Sequence, residues 1–194
     1  KFRNDNLSCY EALVPDTCKM LLGLRYAILA PEYRAFRKTI SARSGSITRV
    51  LVYFGGTDWQ NMTTLVLKVL SQDEFRFLEV DVVVGSNYPF LLDLEELISG
   101  RPKTNLHQSL PNLASLMSVA DVAIGAGGTT MWERMSMGLP ALVISLADNQ
   151  LPACKSLQKE DLIHYLGSYN DASDGMLTKY LRERIYNTEQ NSDL

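Results

Sequence analysis

Short apolar strands alternating with amphipathic helices constrain the fold of this chain more than any other feature. Val50-Leu51-Val52-Tyr53-Phe54 is an unbroken apolar run that stops at Gly55-Gly56. A run without polar alternation fits a strand buried on both faces, as in a parallel sheet. Met62, Leu65, Val66, Val69 and Leu70 then recur at helical spacing. The punctuation repeats along the chain: strand 77–84 ending at Gly85-Ser86-Asn87, helix 91–98 stopped by Gly100 and Pro102, strand 105–108, and a helix opened by Pro111. Strand 122–124, helix 129–137, strand 141–146, helix 152–158, strand 162–165 and helix 176–186 follow. Strict alternation with short loops predicts an α/β fold, a Rossmann-like doubly wound parallel sheet.

Residues 1–48 do not share this rhythm. They hold Pro15, Pro31 and a Ser-Gly-Ser turn at 44–46, and they read as an interdomain segment ahead of a domain spanning 49–190. The basic cluster Arg34, Arg37, Lys38, Arg43 and Arg49 reads as a solvated helix face. The chain begins at Lys1, so an upstream partner domain is expected.

Lys+Arg total 19 against 22 Asp+Glu, a net charge of −3. That balance disfavours a nucleic-acid or anionic-membrane binder. No apolar stretch reaches the ~20 residues of a membrane span, and no signal peptide is visible. Cys9, Cys18 and Cys154 form no C-x-x-C pair, and only two histidines accompany them. No zinc site follows from that spacing, so free thiols in a cytoplasmic protein are expected.

Ligands of parallel α/β sheets bind beyond the carboxyl ends of the strands. Three such ends are rich in small or polar residues: Gly55-Gly56-Thr57-Asp58, Gly125 to Thr130, and Asp148-Asn149-Gln150. Glycines admit a ligand close to the backbone, and a helix starting at Thr129 offers free N–H groups to a phosphate. The Gly55 loop by itself is read equally well as a tight turn. The Gly125 loop carries more glycine and threonine than a turn needs. It lacks the lysine of a Walker A loop, and Thr130 stands where a dinucleotide fingerprint has its third glycine. Glu133 lies four residues after Thr129 on the same helix face. It can accept the two hydroxyls of a ribose, or it can simply complement the helix dipole. Trp132 reads as core packing, and His164 as a packed or surface histidine.

The stretch Ala120-Asp121-Val122-Ala123-Ile124-Gly125-Ala126-Gly127-Gly128-Thr129-Thr130-Met131-Trp132-Glu133 resembles the nucleotide-binding motif of the pseudaminic-acid-pathway UDP-sugar hydrolases. Gly138-Leu139-Pro140, Ala147-Asp148-Asn149-Gln150, Val52 to Asp58 and the segment from Leu21 to Tyr33 are similar to that family as well. The family in turn resembles the glycosyltransferase that completes lipid II, and spore-coat polysaccharide proteins share its motifs. The resemblance implies the C-terminal half of a GT-B fold, which holds UDP in the cleft between two domains. It implies Gly127, Gly128, Thr129 and Thr130 at the diphosphate and Glu133 at the ribose. Asn149 and Gln150 would face the sugar or pyrophosphate, and backbone near His107 and Gln108 the uracil. Gly55, Gly56 and Thr57 would border the cleft.

The implied ligand is UDP carrying an amino sugar, with no cofactor or metal. The family's catalytic histidine belongs to a glycine-rich loop of the N-terminal domain, which this chain does not show. The catalytic group is therefore expected in that domain and this chain alone is expected to be inactive. Three readings follow: a UDP-sugar hydrolase of surface-polysaccharide or nonulosonic-acid biosynthesis, a GT-B glycosyltransferase, or a non-catalytic subunit of a split transferase. A nicotinamide-dependent domain is disfavoured by Thr130.

Overall fold

A computed structural model describes residues 10, 12–21, 23, 26–41, 43 and 45–186. Cys9, Ser44 and the last residues of the expected domain lie outside that set. Six strands form one all-parallel sheet: β1 (Arg49–Tyr53), β2 (Glu79–Val84), β3 (Thr104–Gln108), β4 (Val122–Ala126), β5 (Ala141–Ser145) and β6 (His164–Ser168). Their order is β3-β2-β1-β4-β5-β6. The helices are α1 (Pro31–Arg37), α2 (Met62–Leu70), α3 (Leu91–Ser99), α4 (Ala114–Val119), α5 (Thr130–Ser136), α6 (Leu151–Lys159) and α7 (Asp174–Tyr186).

The alternation of side chains along each strand supplies both faces of the sheet. Val50, Val52, Val80, Val82, Val84 and Ile124 pack under α2, α3 and α7. Leu51, Val83, Ala123 and Val143 pack under α1, α4, α5 and α6. Burying each such side chain contributes about 1.5–3 kcal/mol. This two-sided burial is why the strands read as continuous apolar runs.

Three strands differ from the sequence expectation by two residues or more, and one of them is β4, which runs on through Gly125 and Ala126 so that the loop starts at Gly127. β2 starts at Glu79 because Asp73–Phe75 forms a 3-10 turn that buries Phe75 and leaves Phe77 exposed. β6 is shifted toward Ser168, past the apolar residues that suggested it, with an irregular register opposite Val143 and Ile144. Among the described residues no strand lies on its far side, so polar residues are tolerated there.

The basic cluster divides. Arg34, Arg37 and Lys38 are solvent-exposed, but Arg43 and Arg49 are not a solvated face. Arg49 Nε donates to Asp81 at 2.7 Å, and its Nη1 lies 3.2 Å from Glu79. Arg43 donates to the carbonyls of Met117 (2.6 Å), Ala120 (2.9 Å), Met137 (2.7 Å) and Gly138 (2.9 Å). Those carbonyls end α4 and α5, so one cation satisfies acceptors at two helix C-termini. The segment before β1 is also part of the core, because Tyr33 on α1 is buried against α4 and α5.

Arg43→Ala leaves these carbonyls without their charged donor and should cost about 2–3 kcal/mol, lowering Tm by roughly 5–10 °C. Arg34→Ala, a change on the exposed face, should stay within about 0.5 kcal/mol. Thermal melts of the two variants check the contrast.

Candidate nucleotide site at the strand-order switch

The chain proceeds from β1 outward to β2 and β3, then returns to place β4 on the other side of β1. The strand order therefore reverses between β1 and β4, and their carboxyl ends open the crevice in which such sheets bind ligands. Tyr53 pairs with Gly125 in register, so the loops after β1 and β4 leave the sheet side by side. Gly55 begins the first loop at φ +103°, a left-handed conformation that favours glycine.

The next residues lock that loop. Asp58 is buried, and its carboxylate accepts from the N–H groups of Met62 (3.0 Å) and Thr63 (2.8 Å). It caps α2 rather than facing a ligand. Gln60 Nε2 donates to the Leu146 carbonyl at 3.3 Å, and Leu146 N donates to Gln150 Oε1 at 2.8 Å. Leu146 thus ties the β1 loop to the turn that precedes α6.

Gly127, Gly128, Thr129, Trp132, Asn149 and Gln150 line one groove of about 760 Å³, with Tyr10 at its margin. A Cβ at Gly127 would collide with Cys154 Sγ, so glycine there lets the loop lie directly on α6. Cys154 is free and buried, and burial pushes its thiol up to about 11. Cys18 is also free. Trp132 packs against the core, as expected, but also lines this groove.

The other expected site residues do not line this groove. Thr130 is the first helical residue. Glu133 stands on the side of α5 that meets α1, beside the Tyr33 and Tyr53 phenols. Burial pushes both phenols above their usual range, and the Glu133 carboxylate adds to it. Tyr33 Oη also accepts from Leu113 N at 3.2 Å. Gly55, Gly56 and Thr57 form the β1 side of the crevice.

His107 and Gln108 end the edge strand β3, outside the groove. His107 Nε2 lies 2.8 Å from the buried Asp81 carboxylate. Burial raises that carboxyl's pKa, but its bonds to Arg49 and His107 outweigh burial and hold it below the usual range. His164 is exposed and stacks edge-on against Tyr180.

One expectation about the Gly125 loop needs correction. The helix behind it, α5, has only seven residues, and the N–H groups of Met131 and Trp132 are already donated to the Gly128 and Thr129 carbonyls, so it offers few donors and little positive charge. A charge sequence reasoning missed is closer. Arg134 is buried beneath the end of β4, and its Nη2 donates to the Ala126 carbonyl at 2.6 Å. Its spacing from buried Met131 was the available signal, masked because an arginine suggests the solvent side.

A six-stranded parallel sheet in this order, with a glycine-lined groove at its switch point, is the Rossmann-like architecture of a GT-B C-terminal domain. Residues 49–191 match the Glycosyltransferase family 28 C-terminal domain, and the chain belongs to that family. The spore coat polysaccharide biosynthesis protein SpsG of Bacillus subtilis is 28% identical over 146 residues, covering 75% of this chain and 43% of SpsG. Uncharacterized protein MJ1062 of Methanocaldococcus jannaschii is 32% identical over 128 residues, covering 63% of this chain and 26% of MJ1062. The chain therefore spans less than half the length of either relative. MurG of Acinetobacter baumannii shares the fold at TM-score 0.61 and 15% identity, over 90% of this chain and 51% of MurG. Among the described residues, no helix is long and apolar enough to cross a membrane.

The contact between Gly127 and Cys154 is directly testable. Gly127→Ala overpacks the floor of the groove and should cost about 1–3 kcal/mol. Adding Cys154→Ala removes the sulfur and should recover part of that loss, giving a coupling of about 0.5 kcal/mol or more in a double-mutant cycle. Strictly additive melting data would mean that the two residues do not touch.

Proposed function

We propose that this chain holds the UDP moiety of a UDP-linked amino sugar for a two-domain GT-B enzyme of surface-polysaccharide or nonulosonic-acid biosynthesis. The observation that carries this reading is the convergence of the Gly127 loop and the Asn149-Gln150 turn on one groove at the strand-order switch. The diphosphate lies along Gly127, Gly128, Thr129 and Thr130. The ribose lies in the crevice toward Glu133, with Gly55, Gly56 and Thr57 opposite. Asn149 and the free amide of Gln150 face the sugar or pyrophosphate, and backbone at the end of β3, near His107 and Gln108, borders the uracil. Membership of a glycosyltransferase family and similarity to a polysaccharide biosynthesis protein support it.

Two reactions use such a site. In the hydrolase, water attacks the anomeric carbon and UDP departs. In the transferase, an acceptor hydroxyl attacks the same carbon, and the family match favours this second reading as strongly as the sequence motifs favour the first. In both, the general base comes from a companion domain, so this chain by itself turns over no UDP-sugar. Such an enzyme works in the cytoplasm, where nucleotide sugars are used.

UDP at ~100 times its Kd should stabilise the fold by ~2.7 kcal/mol, a rise of several degrees in Tm, while NAD should give none. Glu133→Gln should weaken UDP binding about tenfold or more, because a ribose diol loses charge-assisted hydrogen bonds. It should also reduce the discrimination between UDP and 2′-deoxy-UDP. Calorimetric titration of both ligands into both proteins measures this. Equal UDP affinity in the two would leave Glu133 as a partner of Tyr33 alone.

A further inference from the structure

Arg134 has no evident structural reason to be charged. It is 2% exposed, and its Nε is buried without a hydrogen-bond partner. Among the described residues, no carboxylate stands within ion-pair distance of it. Its protein acceptor is the Ala126 carbonyl, reached by Nη2. A Cβ at Gly125 would collide with the Tyr53 carbonyl and with Arg134 Nη1, so the glycine admits both the neighbouring strand and the guanidinium. Cys154 and the Glu133 carboxylate act on it only from beyond ion-pair distance. A buried cation without an ion-pair partner is costly, and an apolar side chain of similar volume would fill the space more favourably. Leu, Met or Ile would have served a purely structural purpose.

The position of the charge explains its retention. Ala126, which accepts from Arg134, is followed directly by Gly127, Gly128 and Thr129, the residues that line the groove. We propose that Arg134 is the fixed positive charge of the diphosphate subsite, acting from beneath the Gly127–Thr129 loop without touching the phosphates. This rests on the reading that the groove takes the diphosphate of UDP. Beneath the loop the dielectric is low, so the attraction is several times stronger than between the same charges in water. The guanidinium polarises the loop toward the ligand through the Ala126 carbonyl, and a bound anion adds to the more distant Glu133 carboxylate in balancing its charge. Burial pulls the Arg134 pKa down to about 10, and a bound anion would reverse that shift. Two turns of α5 could not supply the same field. Arg134 is a positioning and electrostatic residue; it does not meet the reacting atoms.

Two variants separate charge from packing. Arg134→Gln keeps an amide donor for the Ala126 carbonyl and removes the charge. Arg134→Lys keeps the charge and loses the planar fork. Inorganic pyrophosphate, uridine and UDP are titrated into wild type and both variants, with Tm recorded for each protein. The expected result for Arg134→Gln is a loss of about tenfold or more for pyrophosphate and UDP, with uridine changed less than about twofold. Arg134→Lys should recover most of the pyrophosphate affinity even where its Tm remains lowered.

If Arg134→Gln does not fold, Arg134→Met, which fills a similar volume without charge, takes its place and should lose pyrophosphate affinity to a similar extent while uridine affinity holds. Pyrophosphate and uridine affinities that fall together in step with Tm would overturn the proposal. Undiminished pyrophosphate binding in Arg134→Gln, or no pyrophosphate binding by wild type, would overturn it as well. Pyrophosphate binding that depends on Arg134, with no gain in affinity from the uridine of UDP, would instead overturn the UDP reading and leave the subsite standing.

Discussion

The pairing of β1 with β4 governs everything that the candidate site requires. It joins strands separated by two α/β units, and both of its ends are fixed by specific contacts. At the entry, the Asp121 carboxylate accepts from the N–H groups of Thr48 and Arg49, both at 2.8 Å. At the exit, Tyr53 lies opposite Gly125. With the register held at both ends, the Gly55 and Gly127 loops must leave the sheet together. A one-residue slip would exchange the faces of the strand, moving Leu51 off one core and Val50 and Val52 off the other. The groove is therefore a consequence of sheet order, shaped afterwards by glycine.

The second constraint comes from outside the family match. Arg43 and Tyr33 precede residue 49, yet both hold the helices that flank the crevice, Arg43 from the end opposite to it. Arg43 ties the C-terminal ends of α4 and α5 together. Tyr33 reaches Leu113 at the start of α4 and sits beside Glu133 on α5. The two helices that bracket the crevice are thus held from below by one guanidinium and from the side by one phenol. Sequence similarity over residues 49–191 describes the sheet, whereas the preceding segment fixes how its helices are seated.

The sheet was legible because burial on both faces leaves a direct mark, the Val-rich runs of β1, β2, β4 and β5. Element ends were less legible where a single polar or turn residue decides them, as at Glu79 and at the irregular register beside Val143. Helix α1 could not be read from periodicity, since it has seven residues and one buried side chain, Tyr33. The glycine loops and Asn149-Gln150 were legible as loop chemistry at strand ends. Arg43 and Arg134 were not. Their acceptors are backbone carbonyls that only the folded chain assembles, and no side-chain pattern in the sequence announces a carbonyl.

The proposed binding of a nucleoside diphosphate at the carboxyl ends of β1 and β4 is tested most directly by hydrogen–deuterium exchange with and without UDP. Protection should appear in residues 125–133 and 146–150, with a smaller effect at 53–57, and the amino ends of the strands should be unchanged. A second cavity, of about 440 Å³, lies at that opposite end, lined by Gly138, Pro140, Leu142 and His164. UDP-dependent protection confined to residues 138–142 and 161–164, with none in the Gly127 loop, would contradict the account.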